Sequence, residues 1–230
     1  MQTPRRELWT PVAGFAAALT FIVGVAAAAD SPDSGDSDAQ VLAWYAKHSH
    51  RVGVIVGVFV LMFFGLFLLW FASGLRERLR AAEGPGGRLT NVCLGGALLC
   101  VGLVWVGAFA LAAVPAGISI GGEPAVTNAD VARFVPQFGF GAILIGGMFG
   151  AIALIEATSI VIMRTDVLPR WLGYLGFACG IVLLFGFVFL PMIALPVWLI
   201  ATSIVLLRLP SAEAVATPAP ATPAPAGPPA

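Results

Sequence analysis

The chain has 230 residues, of which 59% are hydrophobic and only 10% charged, and its mean hydropathy is +0.96. A soluble domain carries charge on about a quarter of its residues, so a water-facing surface is excluded for most of this one. The formal net charge is zero, which leaves no global field to gather nucleic acid or an anionic substrate.

A helix needs about 20 mostly apolar residues to cross a hydrocarbon core of about 30 Å. That criterion predicts spans at residues 12–29, 52–75, 92–114, 138–163, 171–190 and 192–207. The expected fold class is all-α, a transmembrane helical bundle of six spans forming a single membrane domain over residues 1–210. A Pro/Ala-rich tail over 211–230 follows, with the composition of an extended, disordered spacer.

The first span follows Arg5 and Arg6 and ends on Ala27, Ala28 and Ala29 before Asp30. This pattern also fits a signal peptide with a small-residue cleavage site, but an apolar run of this length exceeds the usual signal core and predicts a retained anchor. The loop after it opens with an acidic, turn-rich run holding Asp30, Asp33, Asp36 and Asp38. Its spacing lacks the glycine and terminal glutamate of an EF-hand loop, so it reads as a solvated, flexible segment rather than a Ca²⁺ site. Ser37 and Gln40 have capping-box spacing and predict a short helix with Val41, Leu42 and Tyr45 on one side and Trp44 beside them. His48 and His50, two residues apart, would point away from each other on a helix and read as a surface pair, not as metal ligands.

Between the second and third spans, Arg76–Asn91 reads as a basic, glycine-rich loop. Its charge is that of an ordinary cytoplasmic loop with some attraction for anionic lipid. Cys93 and Cys100 lie about 10 Å apart along one helix, too far for a disulfide. With Cys179 they read as small packing residues. The loop 116–133 carries glycines, Pro124 and a helix start at Thr127, Asn128, Ala129 and Asp130.

Glu156 is the one ionisable residue inside a predicted span. It stands eight residues before Arg164, about 12 Å from the boundary. Carboxylates at such depth are costly and face the protein interior or a water-filled path. Ser159, Tyr174 and Ser203 are the candidate hydrogen-bond partners at similar depth. Two readings follow, a protonatable group in a carrier or a neutral side chain that fastens helices together. Proton relays use several acids or histidines in series, and the single Glu156 favours the second.

The last two spans cannot be one helix, since 37 residues from Trp171 to Leu207 would run about 55 Å. The turn is expected at Leu190–Pro196, where Pro191 and Pro196 end one helix and start the next. A re-entrant last segment would leave five full spans.

Lys and Arg in the loops set orientation. With the N-terminus inside and six crossings, the inner side receives Arg5, Arg6, Arg76, Arg78, Arg80, Arg88, Arg164, Arg170 and Arg208, and the outer side Lys47, Arg51 and Arg133. The bias puts both termini in the cytoplasm, and Trp9, Trp70 and Trp171 fall near the inner boundary. Small residues at four-residue spacing (Gly53 and Gly57; Ala142, Gly146 and Gly150; Gly176 and Gly180) predict close helix–helix contacts. Gly146, Gly150, Gly176 and Gly180 are also the candidate surface for a homo-oligomer or a membrane protein partner.

No P-loop, G-x-S-x-G, H-E-x-x-H or C-x-x-C is present in the sequence, and no haem-ligating histidine pair lies in a span. No cofactor is expected.

The segment Glu156–Gly173, with Arg164-Thr165-Asp166-Val167-Leu168-Pro169-Arg170-Trp171-Leu172-Gly173 as its most specific piece, resembles a stretch in actinobacterial multi-pass membrane proteins of unknown function. Trp44-Tyr45 and the end of the second span, Trp70 to Arg80, are similar to that family too. The resemblance implies a compact bundle in the plasma membrane, with no assigned activity and no catalytic residues. The expectation is a non-enzymatic integral membrane protein, structural or accessory, with the lipid bilayer as its solvent. The alternative is a small-solute carrier or channel using Glu156.

Overall fold

The computed structural model describes residues 5–28, 31–32, 35–122, 128–185 and 190–209, with the side chains of residues 5–7 set aside. Those residues contain helices α1 (Arg5–Ala28), α2 (Asp38–Ala46), α3 (His48–Glu83), α4 (Arg88–Ser119), α5 (Ala129–Gly141), α6 (Met148–Thr165), α7 (Arg170–Leu183) and α8 (Ala194–Arg208). A π-helical turn, Ala142–Gly147, joins α5 to α6 without a break, and a 3₁₀ turn, Leu190–Ile193, leads into α8. No strand occurs among the described residues. The expected tail over 211–230, Asp30, Asp33, Pro124 and Thr127 lie outside them.

Five helical stretches are long and apolar enough to cross a membrane: Leu8–Ala28, His48–Glu83, Arg88–Ser119, Ala129–Thr165 and Leu190–Arg208. Each is apolar on all sides, as buried or lipid-embedded helices are. On α3, Leu61, Phe64, Leu68, Phe71 and Leu75 are fully buried, while Phe59, Phe63 and Trp70 on other faces are more than half exposed. So much exposed apolar surface has no place in water.

The helices form a closed ring. α1 packs on α3, α3 on α4, α4 on α5 and α6, α6 on α7, α7 on α8, and α8 returns to α1, with α3 touching α6 across the middle. Glycines set the closest approaches. A Cβ at Gly150 on α6 would come within 2.7 Å of Cys100 Cα and 2.9 Å of Gly96 O on α4. A Cβ at Gly139 on α5 would come within 2.7 Å of Gly107 O. Gly57 on α3 meets the backbone of Ala28 on α1 in the same way, 2.6 Å from its nitrogen. Gly53, expected to share that role, has open space around it. Cys93, Cys100 and Cys179 are free and buried, consistent with packing residues.

Three boundaries differ from the sequence expectation. Arg76–Asn91 is not a loop: α3 continues to Glu83, because Leu75 and Leu79 remain on its buried stripe. At 36 residues it is about 54 Å long, so its last turns stand beyond any hydrocarbon core of about 30 Å. A tight turn over Gly84–Gly87 follows, with φ of 86° at Gly84 and 47° at Gly87, values a side chain would disfavour. The helix expected from residue 138 begins at Ala129, where the Asn128 side chain accepts from the amides of Asp130 and Val131. Finally, α7 has 14 residues against the 20 predicted. Leu184 and Phe185 form a turn, and residues 186–189 lie outside the described set.

Glu83 stabilises the hairpin between α3 and α4. Its carboxylate accepts from Leu89 N at 2.8 Å, Thr90 N at 2.9 Å and the Thr90 hydroxyl at 2.6 Å. It thereby caps the positive end of α4. At the opposite end of the ring, α2 packs through Val41 and Tyr45 onto Ala129 and Ala132 of α5. The Tyr45 hydroxyl donates to Ala132 O at 3.1 Å. Ser37 and Gln40 form the expected capping box. The Asp36–Asp38 part of the acidic run is tied down rather than loose, because Arg133 bonds Asp38 at 2.7 Å and donates to Asp36 O at 2.5 Å.

Two outcomes are expected. Gly150→Ala should lower stability by about 1–3 kcal/mol, the usual range for overpacking, whereas Gly53→Ala should be near neutral; thermal unfolding in detergent measures both. The hydrogen bonds from Thr90 and the amides of Leu89 and Thr90 hold the Glu83 pKa below its ordinary value. Its contribution should be complete above the unfolded carboxyl value of about 4.3 and disappear as pH falls through the lower folded value. A Glu83→Gln protein should therefore be less stable than the wild type near pH 7, with the gap closing on acidification.

Candidate functional site

Glu156 is the ninth residue of α6, on the face turned to α7. Three glycines of α7 meet side chains of α6 along this seam: Gly173 meets Met163, Gly176 meets Ser159 and Ile155, and Gly180 meets Glu156. The absence of a Cβ at Gly180 makes room for the carboxyl, since a methyl there would lie 2.9 Å from Glu156 Cδ. The side chain is half-buried. Among the described residues no hydrogen bond to it is formed.

Of the expected partners, Ser159 lies nearest in sequence, but its hydroxyl donates to Ile155 O at 2.8 Å. This bond back to the helix's own carbonyl is common for serine in helices. Tyr174 is on α7 and 62% exposed, pointing away from the packed seam. Ser203 is fully buried on α8, where its hydroxyl faces Gly14 of α1. The structure therefore does not gather these residues around Glu156. What it places beside the carboxyl is the last turn of α7, which ends at Leu183, three residues beyond Gly180. The final carbonyls of a helix carry partial negative charge, so this neighbourhood favours a proton or a cation over a bare carboxylate.

Of the partner-surface glycines, Gly150, Gly176 and Gly180 are buried against other helices of the same chain, and Gly146 is half-buried beside Leu103.

Some polar groups escape a reading of the sequence. Trp198 Nε1, Thr202 Oγ1 and Ser203 Oγ on α8 are fully buried with no hydrogen-bond partner among the described residues. Trp198 makes an edge contact with Phe71, ring centroids 6.0 Å apart. The four-residue spacing of Trp198 and Thr202 was available as a signal that both share a face. Arg76 also has a sealed Nε without a partner.

Arg51 and Arg133 act structurally. Arg51 donates to Tyr45 O, to Ala46 O at 3.0 Å and to Ser119 Oγ at 2.9 Å, joining α2, α3 and α4. Burial pushes the Tyr45 hydroxyl up to about 12, so it remains a donor throughout the physiological range. The His50 ring packs edge-on to Trp44, 4.9 Å between centroids, while His48 is exposed. At the other end, Asp166 takes a left-handed conformation after α6 and pairs with Arg170 at 2.5 Å. Both are exposed, and the bond holds the acid below and the guanidinium above its ordinary pKa.

Compared with known protein families, curated proteins and solved structures, the chain matches none.

Proposed function

We propose that the protein is a six-span bundle of the cell membrane, with both termini in the cytoplasm, serving as a structural or accessory component rather than an enzyme. The observation that carries this reading is the glycine seam between α4 and the continuous α5–α6 helix. It closes by backbone contact at two levels, Gly96 with Gly150 and Gly107 with Gly139. A carrier opens one side of its core while closing the other, and a seam tight at both levels suits a rigid frame.

The six-span count is supported by the ring. α8 lies along α1 from Phe21 and Val25, opposite Met192 and Pro196, down to Gly14, opposite Ser203. That is a full-length antiparallel partner rather than a re-entrant stub. α7 covers about 21 Å of helical rise. Burial of Ala17, Ala18 and Phe21 of α1 against α3 and α8 supports its retention as an anchor. The arginine bias of the loops supplies the orientation. Membership of the actinobacterial family rests on the Arg164–Gly173 piece.

An accessory protein needs a partner. Gly146 with the exposed Ile145 and Phe149 offers a lipid-facing strip for one, whether another membrane protein or a second copy. Purification of the full chain in mild detergent should recover such a partner in near-equal amount, and a solitary monomer would argue against the accessory role.

The second reading, a small-solute carrier using Glu156, is favoured by the unpartnered carboxyl at the end of α7. Under it, Glu156→Gln should abolish pH-dependent flux in proteoliposomes. If Glu156 only packs α6 against α7, the same variant should leave cellular function intact and shift the melting temperature by a few degrees at most.

A further inference from the structure

We infer that Arg76 is the binding residue for the phosphodiester of an anionic phospholipid at the arginine-rich end of the bundle. The reasoning starts from depth. Trp70 and Trp9 flank a groove at this end, and both indoles are more than 60% exposed, as rings at a membrane interface are. Arg76 lies six residues beyond Trp70 on the same helix, about 9 Å further along the axis. That is the level of the lipid headgroups.

Its environment is unusual for an arginine so placed. The Nε is sealed from solvent and has no hydrogen-bond partner, while the residue as a whole is only partly buried. Among the described residues no carboxylate pairs with the guanidinium. The helix that carries it packs on α4. With the Nε sealed and the residue as a whole only partly buried, an anion bound here would meet the terminal nitrogens of the guanidinium. Two parallel N–H donors in that geometry match a phosphate better than a point charge does.

The neighbouring charges decide which phosphate. Of the acids described at this end, Glu83 caps α4 and Asp166 pairs with Arg170, while Glu77 is exposed on α3. The same cap occupies the N-terminus of α4, removing it as a competing anion site. Arg80, Arg88 and Arg164 remain exposed nearby on the same end. The surroundings therefore favour a headgroup with net negative charge over a zwitterion whose ammonium would meet these cations. The inference depends only on this end of α3 lying at a membrane surface, not on the cellular role of the bundle.

The test uses the full chain, delipidated in detergent and titrated with phosphatidylglycerol or phosphatidylcholine, with bound lipid counted by native mass spectrometry. The wild type should prefer phosphatidylglycerol, and Arg76→Gln should weaken that binding about tenfold, the worth of one charge-assisted hydrogen bond. Arg80→Gln should change it less than about twofold, as for an exposed charge. Equal binding of the two lipids by the wild type, or equal losses in the two variants, would overturn the assignment. Displacement of the lipid by millimolar inorganic phosphate would also overturn it, showing a site for the free ion. Should Arg76→Gln fail to fold, Arg76→Lys keeps the charge without the fork, and undiminished binding by it would refute the guanidinium's role. Failure of the whole membrane reading would look different: the protein would stay monodisperse without detergent.

Discussion

Close backbone approach at glycine is the constraint on which the bundle depends. Lipid tails are as apolar as leucine, so helices in a bilayer gain little by hiding side chains from their surroundings. They associate through tight packing and the few hydrogen bonds that close contact allows. Gly96, Gly107, Gly139 and Gly150 bring α4 against the α5–α6 helix until carbonyl and Cα meet directly. Gly57 does the same between α3 and α1. With these two seams fixed, α6 presents its next face to α7, and α7 hands the chain to α8, which closes on α1. The π-turn at Ala142–Gly147 lies between the two glycine levels of the α4 seam. An inserted residue there rotates everything beyond it, and both contacts are kept on one side of a 37-residue helix.

Much of this was legible in the sequence because hydrocarbon imposes length and composition directly. The expected spans 52–75, 92–114 and 138–163 fall inside long apolar helices, as do residues 12–28 of the expected 12–29. Misjudged boundaries lie where water, not lipid, decides. Arg76–Glu83 has the charge of a loop yet stays helical, because Leu75 and Leu79 continue the buried stripe and Glu83 finds the α4 amides. Ala129–Gly141 reads as loop and helix start by composition, but Asn128 caps it and α2 covers it. The short α7 reverses the error, since its apolar run promised a longer helix than the glycines and Phe185 turn permit.

The candidate site was legible as a residue and not as an arrangement. Glu156 stands out by charge alone. Its neighbours depend on ring order, which no periodicity encodes, so depth was the only guide to Ser159, Tyr174 and Ser203. Depth was insufficient: Ser203 belongs to the α1–α8 seam and Tyr174 to the outside. The residue that shapes the site is Gly180, whose contribution is the volume it leaves empty.

Among the described residues neither Glu156 nor Arg76 forms an ion pair, and the membrane treats the two groups oppositely. At headgroup level, phosphate is abundant and water is near, so an arginine fork finds its counterion in the lipid itself. Twelve ångströms or so deeper, by helical rise, no lipid group carries charge. A carboxyl there can be neutralised only by a proton, a bound cation or another protein group. The position of Glu156 against the negative end of α7 narrows the choice, because a second anion-like group cannot share that corner without a positive charge between them. Whichever of these neutralises Glu156 does so in the seam between α6 and α7, where Gly180 leaves the carboxyl its room.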